Sequence, residues 1–400
     1  MINSNNSTKE EALDLLFSKC TINKQIEMVP LAEAISRIPA RNLYSSNTLP
    51  VVRASMMDGI AVCSKCFKDG MPDTSHWIKG REYVRADTGD DFDDSYDAII
   101  AIEKVSFDEL GVLRLDEGVS VVEGTKVRKR GSIIKEGDCV MRAGVPIRPS
   151  DLAALAIGGI TEVPVFKKPV AAFIPTGSEL VPAGTIPQRG QNIDSNSIMA
   201  RHMLLEMGAE PLYHPILKDN PDSIETALEE LLPQADIIIL NGGSSKGEED
   251  FTMEVLKSKG ELLLHGVAAG PGRPISFAVI EGKPVINLPG PAVAAYYGLD
   301  WCIRRIVNQY LGVPRIKRQR INAMLAEDMP CPKSISFLCK INLEKNEEGI
   351  YIATPVAFKT ASMGMCLGTN AQFVSEIGEG DYKKGDIIEV ELLCREEFIL

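Results

Sequence analysis

Three stretches of the chain place carboxylates or glycines where phosphate chemistry could occur. Glu179 ends Thr176-Gly177-Ser178-Glu179, Asp219 lies in Lys218-Asp219-Asn220-Pro221, and Asp250 follows the loop Asn241-Gly242-Gly243-Ser244-Ser245. The Gly-Gly-Ser-Ser loop can turn its backbone N–H groups toward an anion. Its glycines permit close approach, and the helix after it adds a favourable dipole. Carboxylates beside an anion cradle repel the ligand unless a cation joins them. Mg2+ resolves the conflict, because it takes one or two carboxylates together with phosphate oxygens. The set points to a phosphate or pyrophosphate ester handled with magnesium. Two residues stay open at this level. Asp250 serves equally well as a helix cap. Arg273, between the prolines of Pro271-Gly272-Arg273-Pro274, is either aimed at an oxyanion or a surface arginine in a turn.

The elements that must position these residues alternate from Pro169 to Gly312. Strands are predicted at Val170–Ile174, Leu212–Leu217, Ile237–Leu240 and Leu262–Leu264. Helices are predicted at Ser197–Met207, Ile224–Leu232 and Phe251–Lys257. This alternation implies a mostly parallel sheet with helices on both faces. Ligands of such sheets bind beyond the carboxyl ends of the strands. Glu179, Asp219 and Gly242–Ser245 all follow strand ends and should gather along one edge. Before this region, Ser7 and Glu10 form a capping-box pattern for a first helix. Short β-like runs with Gly and Asp turns fill Met57 to Val140, and Ser150 is placed to cap a helix over Leu152–Ile157. The basic run from Arg315 to Arg320 reads as a solvated linker into a small β domain over Gln319–Leu400.

Composition narrows the function classes. A chain of 400 residues suggests two to four domains, and its net charge of −12 disfavours a general grip on nucleic acid. The N-terminus lacks a basic-then-apolar signal, and no apolar run approaches the ~20 residues that cross a bilayer. Nine scattered cysteines read as reduced thiols, hence a cytoplasmic protein. Cys63-Ser64-Lys65-Cys66 has no second pair to complete a zinc site. Gly243-Ser244-Ser245-Lys246-Gly247 matches the hydrolase elbow G-x-S-x-G, but only His265 follows it, with no room for an acid-bearing loop in the usual order. A hydrolase is disfavoured.

The ordered motifs resemble the molybdopterin molybdenumtransferase family, which includes the C-terminal domain of gephyrin. Ser55-Met56-Met57-Asp58-Gly59-Ile60-Ala61-Val62 is similar to the family's Ser-Ala-Met-Asp-Gly-Tyr-Ala-Val. Thr88-Gly89 with Asp97-Ala98-Ile99-Ile100 and Glu103 resembles its Thr-Gly…Asp-Ala-Val-Val…Glu. Thr176-Gly177-Ser178-Glu179-Leu180, Asp194-Ser195-Asn196 and the Gly242–Gly247 loop with Asp250 have counterparts too. So do Pro271-Gly272-Arg273-Pro274 and Leu288-Pro289-Gly290, while Ser362 and Asn370 match more weakly.

The resemblance implies a multidomain α/β protein: a three-layer molybdopterin-binding α/β domain over 167–312, a β-rich lobe over 57–130, a linking domain from 1–56 with 131–166, and a C-terminal β-barrel over 319–400. It implies insertion of molybdate into adenylylated molybdopterin with Mg2+, releasing AMP. Asp58, Glu179, Asp219 and Asp250 would be the functional acids, the last three placing Mg2+. Gly242, Gly243, Ser244, Ser245, Arg273, Asp194, Asn196 and Ser362 would bind the pterin or its anionic groups. A homodimer is implied, with a molybdopterin adenylyltransferase and recipient molybdoenzymes as possible partners. The sequence also departs from the pattern. Ser132-Ile133 stands for Glu-Asp, Gly270 for a lysine, Arg273 for another lysine, and Pro291 for the Asn of Leu-Pro-Gly-Asn-Pro. These changes motivate two alternatives: a weakened paralogue that binds or carries a molybdopterin species, and one that inserts tungstate.

Overall fold

The computed structural model describes residues 7–242, 251–314, 317–356, 364 and 366–399. Gly243, Ser244, Ser245, Asp250 and Ser362 lie outside the described residues. The chain divides into two compact units, 27–165 and a larger one made of 1–26 with 166–400.

Helix α1, Lys9–Lys19, opens the larger unit and is capped by Thr8 rather than Ser7. Both positions fit the box pattern. Glu11 closes it by accepting from Thr8 N–H at 2.8 Å, while the Ser7 carbonyl is occupied by Ala268 N–H at 2.8 Å. Ala12, Leu13 and Leu16 form its buried face.

In unit 27–165, Leu43–Tyr44 pairs antiparallel with Cys139–Met141 beside helix α2, Pro149–Ile157. Helix α2 starts before Ser150. Pro149 takes the first position, where a missing N–H costs nothing, and Asp151 accepts from Arg148 N–H at 2.9 Å. A three-stranded antiparallel sheet, with Gly59–Val62 between Tyr83–Ala86 and Ala98–Ala101, buries Ile60, Val62, Tyr83 and Ile100.

The larger unit is built on a six-stranded sheet. Its strands are β1 Val170–Pro175, β2 Glu210–Tyr213, β3 Ile237–Asn241, β4 Glu261–His265, β5 Ser276–Ile280 and β6 Lys283–Leu288, in the order β2-β1-β3-β6-β5-β4. The β2-β1-β3-β6 pairings are parallel, and β5 and β4 add on antiparallel. Strand β2 stops short of the predicted Leu217, which makes only an isolated bridge to Thr176. One face is covered by α4 Pro221–Leu231 and α5 Phe251–Lys259, whose Ile224, Leu228, Met253 and Leu256 pack on Ala172, Ile174, Ile238 and Leu240. Helices α3 Asn196–Met207, α6 Ala292–Gly298 and α7 Arg304–Leu311 pack together elsewhere on the sheet. The near-continuous burial of β1 and β3 is what a sheet covered on both faces requires.

Five further strands follow: β7 Arg320–Leu325, β8 Ser336–Lys345, β9 Tyr351–Pro355, β10 Ala371–Val374 and β11 Ile387–Leu392. The pairings β7-β9, β9-β8, β8-β10, β10-β11 and β11-β7 close a ring. Phe337, Cys339, Ile341, Leu343 and Val390 fill its core. The fold is a multidomain α/β architecture with a C-terminal five-strand barrel.

Within the described part of the basic run Lys317 is exposed, as a solvated linker requires, while Arg318 and Arg320 are tied to acids. Arg318 is half-buried and grips Asp300 with two N–H donors, and Arg320 donates to Glu389 and Glu391 at 2.8 Å each. A linear reading could not anticipate acids supplied by another helix and by β11.

Candidate functional site

The carboxyl-end rim of the sheet is assembled from consecutive loops. Gly177 N–H donates to Leu217 O at 2.9 Å. Ser178 N–H donates to Asp219 Oδ2 at 3.0 Å, and Asp219 N–H donates to Ser178 Oγ at 3.3 Å. This reciprocal pair joins the loop after β1 to the loop after β2. Glu179 and Asp219, both exposed, therefore occupy one stretch of rim. The Glu179 carboxylate lies back over Gly177, where an added Cβ would fall 2.9 Å from Oε2.

Beyond Glu179, Leu180–Val181 pairs in parallel with Asn192–Ile193 and leads to Asp194. Asp194 is buried, and both of its oxygens are engaged by Ser197, with N–H at 3.0 Å and Oγ at 2.5 Å. Its carboxylate organises the first turn of α3. Asn196 Nδ2 donates to Asn241 Oδ1 and to Gly290 O, each at 2.8 Å. Gly242 follows β3 with φ 131°, and an added Cβ would lie 2.2 Å from Thr176 O, so only glycine fits.

Arg273 is exposed, and its carbonyl accepts from Val267 N–H at 3.0 Å. The turn carrying it packs on α6: a Cβ at Gly272 would lie 3.4 Å from Ala294 O. Helix α6 also meets a cation that sequence reasoning missed. Lys340 of β8 is 7% exposed, and its Nζ sits 3.5 Å from the centre of the Tyr296 ring. No carboxylate among the described residues forms an ion pair with it, and burial pushes its ammonium down to about 8. A lysine inside a β-run carries no motif, so only its cross-domain neighbours reveal it. Asn370 is structural: its side chain exchanges two 2.8 Å hydrogen bonds with the Leu343 backbone.

In the smaller unit, Asp58 Oδ1 accepts from Thr88 N–H at 2.8 Å and Thr88 Oγ at 2.9 Å. Those bonds hold its carboxyl below the usual range. Two sequence motifs, Met57-Asp58-Gly59 and Thr88-Gly89, thus meet. An added Cβ at Gly59 would lie 2.0 Å from Ile100 O. Asp97 is engaged by Ser64, N–H at 2.6 Å and Oγ at 2.9 Å, whereas Glu103 is exposed.

Among the described residues no cluster of three or more His, Cys, Asp or Glu is assembled for a metal. Two exposed carboxylates on joined loops, Glu179 and Asp219, are the kind of oxygen ligands Mg2+ takes from a protein when phosphate oxygens complete its shell. All nine cysteines are free thiols. The His265 ring pairs with Ser276 Oγ at 2.9 Å. No helix of the described residues is long and apolar enough to cross a membrane.

This architecture, a covered sheet with a ligand rim and a closed barrel, is that of a multidomain molybdopterin-biosynthesis protein. The model for the MoeA N-terminal region (domain I and II) matches residues 7–159, and that for a probable molybdopterin binding domain matches 172–309. The chain belongs to the molybdopterin molybdenumtransferase family. Relatives bearing that name from Haemophilus influenzae and Bacillus subtilis are each 27% identical. The first alignment covers 96% of this chain and 98% of the relative, the second 94% and 92%. The solved structure of a molybdopterin biosynthesis MoeA protein from Pyrococcus horikosii superposes with a TM-score of 0.80 at 25% identity, covering 96% of this chain and 98% of that one.

Proposed function

We propose that this chain is a transferase that inserts molybdate into adenylylated molybdopterin with Mg2+ and releases AMP. The observation that carries this reading is the Ser178–Asp219 exchange, which ties the loop bearing Glu179 to the loop bearing Asp219 beyond the sheet. Glu179 and Asp219 would hold Mg2+, joined by Asp250, and the ion would neutralise charge on the phosphates. Gly242 leads into the loop that would cradle the anion. Arg273, exposed on the turn beside α6, would offer positive charge to an oxyanion such as molybdate. Asp58, whose carboxyl Thr88 holds below its usual range, is a further acid of the family pattern in the smaller unit. The relatives' names support the reaction class. The same reading includes a cytoplasmic homodimer, supplied by a molybdopterin adenylyltransferase and serving recipient molybdoenzymes.

Incubation of the pure protein with adenylylated molybdopterin, Mg2+ and molybdate should release AMP in step with metal insertion. No release at any molybdate concentration would reject the reading. One observation favours a carrier as the second reading. Gly270, where the family pattern has lysine, is a buried residue paired with Phe337, so that cation is absent from the rim. A carrier would bind the pterin tightly and release no AMP. Competition between molybdate and tungstate tests which oxyanion is used.

A further inference from the structure

Asn241, the last residue of β3 and the first of the Asn241–Ser245 segment, is 2% exposed and is given no role of its own by the sequence. It joins four site segments. Its carbonyl accepts from Thr176 N–H at 2.9 Å, fixing the loop that carries Glu179. Its Nδ2 donates to Pro289 O at 2.8 Å, fixing the turn after β6. Its Oδ1 accepts from Asn196 Nδ2 at 2.8 Å, fixing the start of α3. The next residue, Gly242, begins the loop proposed to cradle the anion and donates its N–H to Leu288 O at 3.1 Å.

The backbone dictates how both amides point. Pro289 O can only accept, so Asn241 must present Nδ2 to it and Oδ1 to Asn196. Asn196 must then present Nδ2 to Asn241, and Gly290 O takes its other hydrogen. Both donors of Asn196 are spent, and its Oδ1 is left buried with no hydrogen-bond partner among the described residues. A buried acceptor without a partner is costly, which marks it for a donor that none of the described residues supplies. The turn that Asn241 reaches is the one where Pro291 replaces the expected asparagine. An amide anchors that turn from the neighbouring strand instead.

We propose that Asn241 is a positioning residue that aims Asn196 Oδ1 as the hydrogen-bond acceptor for an N–H donor of the bound ligand, the class of group a pterin ring or its amine supplies. This inference rests on the reading of the chain as a molybdopterin enzyme. It is tested by pterin binding, followed by intrinsic fluorescence with molybdopterin as the probe, and by AMP release, in the full-length protein. Asn241→Ser and Asn196→Ala should each raise the molybdopterin Kd and the KM for its adenylylated form about tenfold. The KM for molybdate should stay unchanged. The double variant should be no worse than either single one, because the two residues act as a unit. Asn196→Asp, which keeps an acceptor, should recover part of the loss relative to Asn196→Ala. Pterin binding by Asn241→Ser as tight as in the unaltered chain, or multiplying losses in the double variant, overturns the inference alone. An unaltered chain that neither binds pterin nor releases AMP overturns the functional reading, and this inference with it.

Discussion

Asp300 and Arg318 form a two-pronged ion pair that joins the helical layer to the barrel. Arg318 Nη1 donates to Asp300 Oδ2 at 2.7 Å and Nη2 donates to Oδ1. The Asp300 side chain is only 7% exposed. Burial works to raise the Asp300 carboxyl, and the Arg318 hydrogen bonds and charge outweigh it, holding the group below its usual range. The pair continues through Glu391, which stands 3.7 Å from Arg318 and accepts from Gln372 at 3.0 Å.

Removing Arg318 leaves the buried Asp300 carboxylate with Arg304 as its one remaining ion pair among the described residues, whose Nε donates to Oδ1 at the longer distance of 3.3 Å. Arg318→Met should therefore destabilise the protein by about 3 kcal/mol. Asp300→Asn with Arg318→Met should cost clearly less, since neither charge remains. Urea denaturation of the two variants measures the difference, and equal losses would refute this account of the junction.

Lys340 is predicted to cost the fold stability at neutral pH. Its folded value of about 8 lies below that of an unfolded lysine, so the folded state binds fewer protons between the two values and gains stability as the pH rises through them. Below that window the burial cost is fully present. Lys340→Met should raise the melting temperature at pH 7, and the advantage should vanish above the ordinary lysine range. Melting curves across pH check this, and a Lys340→Met variant no more stable than the unaltered chain at pH 7 would refute it.

Asp58 titrates low because Thr88 donates to it twice. Thr88→Val removes the hydroxyl donor while leaving the backbone one, so the Asp58 pKa should move up toward its ordinary value without reaching it. Stability held by this interaction is present above the unfolded carboxylate pKa and is lost as the pH falls through the depressed one. Carboxyl NMR titration reads the shift directly. An unchanged Asp58 would show that the hydroxyl contact contributes nothing.

Gly242→Ala should prove far worse than an ordinary glycine-to-alanine change. The new Cβ meets the Thr176 carbonyl at 2.2 Å, and backbone cannot step aside as a flexible side chain can. Loss of pterin binding with a lowered melting temperature is expected. Wild-type behaviour in both would mean that the Thr176 and Gly242 backbones are not in close apposition.

The sequence disclosed most where a pattern is local. Strand–turn–helix alternation marked β1, β3 and α3–α5, and Gly208 closes α3 in the left-handed conformation that glycine adopts readily. Glycines with a steric reason, such as Gly59 and Gly242, stood inside recognisable motifs. What stayed hidden depends on contacts across the chain. Arg318 looked solvated because its acid lies on a preceding helix, and Lys340 looked ordinary because Tyr296 arrives from another domain. Asn241 gains its importance only when Asn196 and Pro289 are folded against it. Asp194 shows the converse: a motif acid whose oxygens both serve Ser197.

The central claim is that Glu179 and Asp219 together hold the magnesium that manages the diphosphate. The most direct measurement is the Mg2+ dependence of AMP release for the unaltered chain, Glu179→Gln and Asp219→Asn. The account predicts saturable dependence in the unaltered chain, abolished by chelation, with each variant needing at least about tenfold more Mg2+. AMP release that ignores chelation, or variants whose Mg2+ requirement matches that of the unaltered chain, would contradict it.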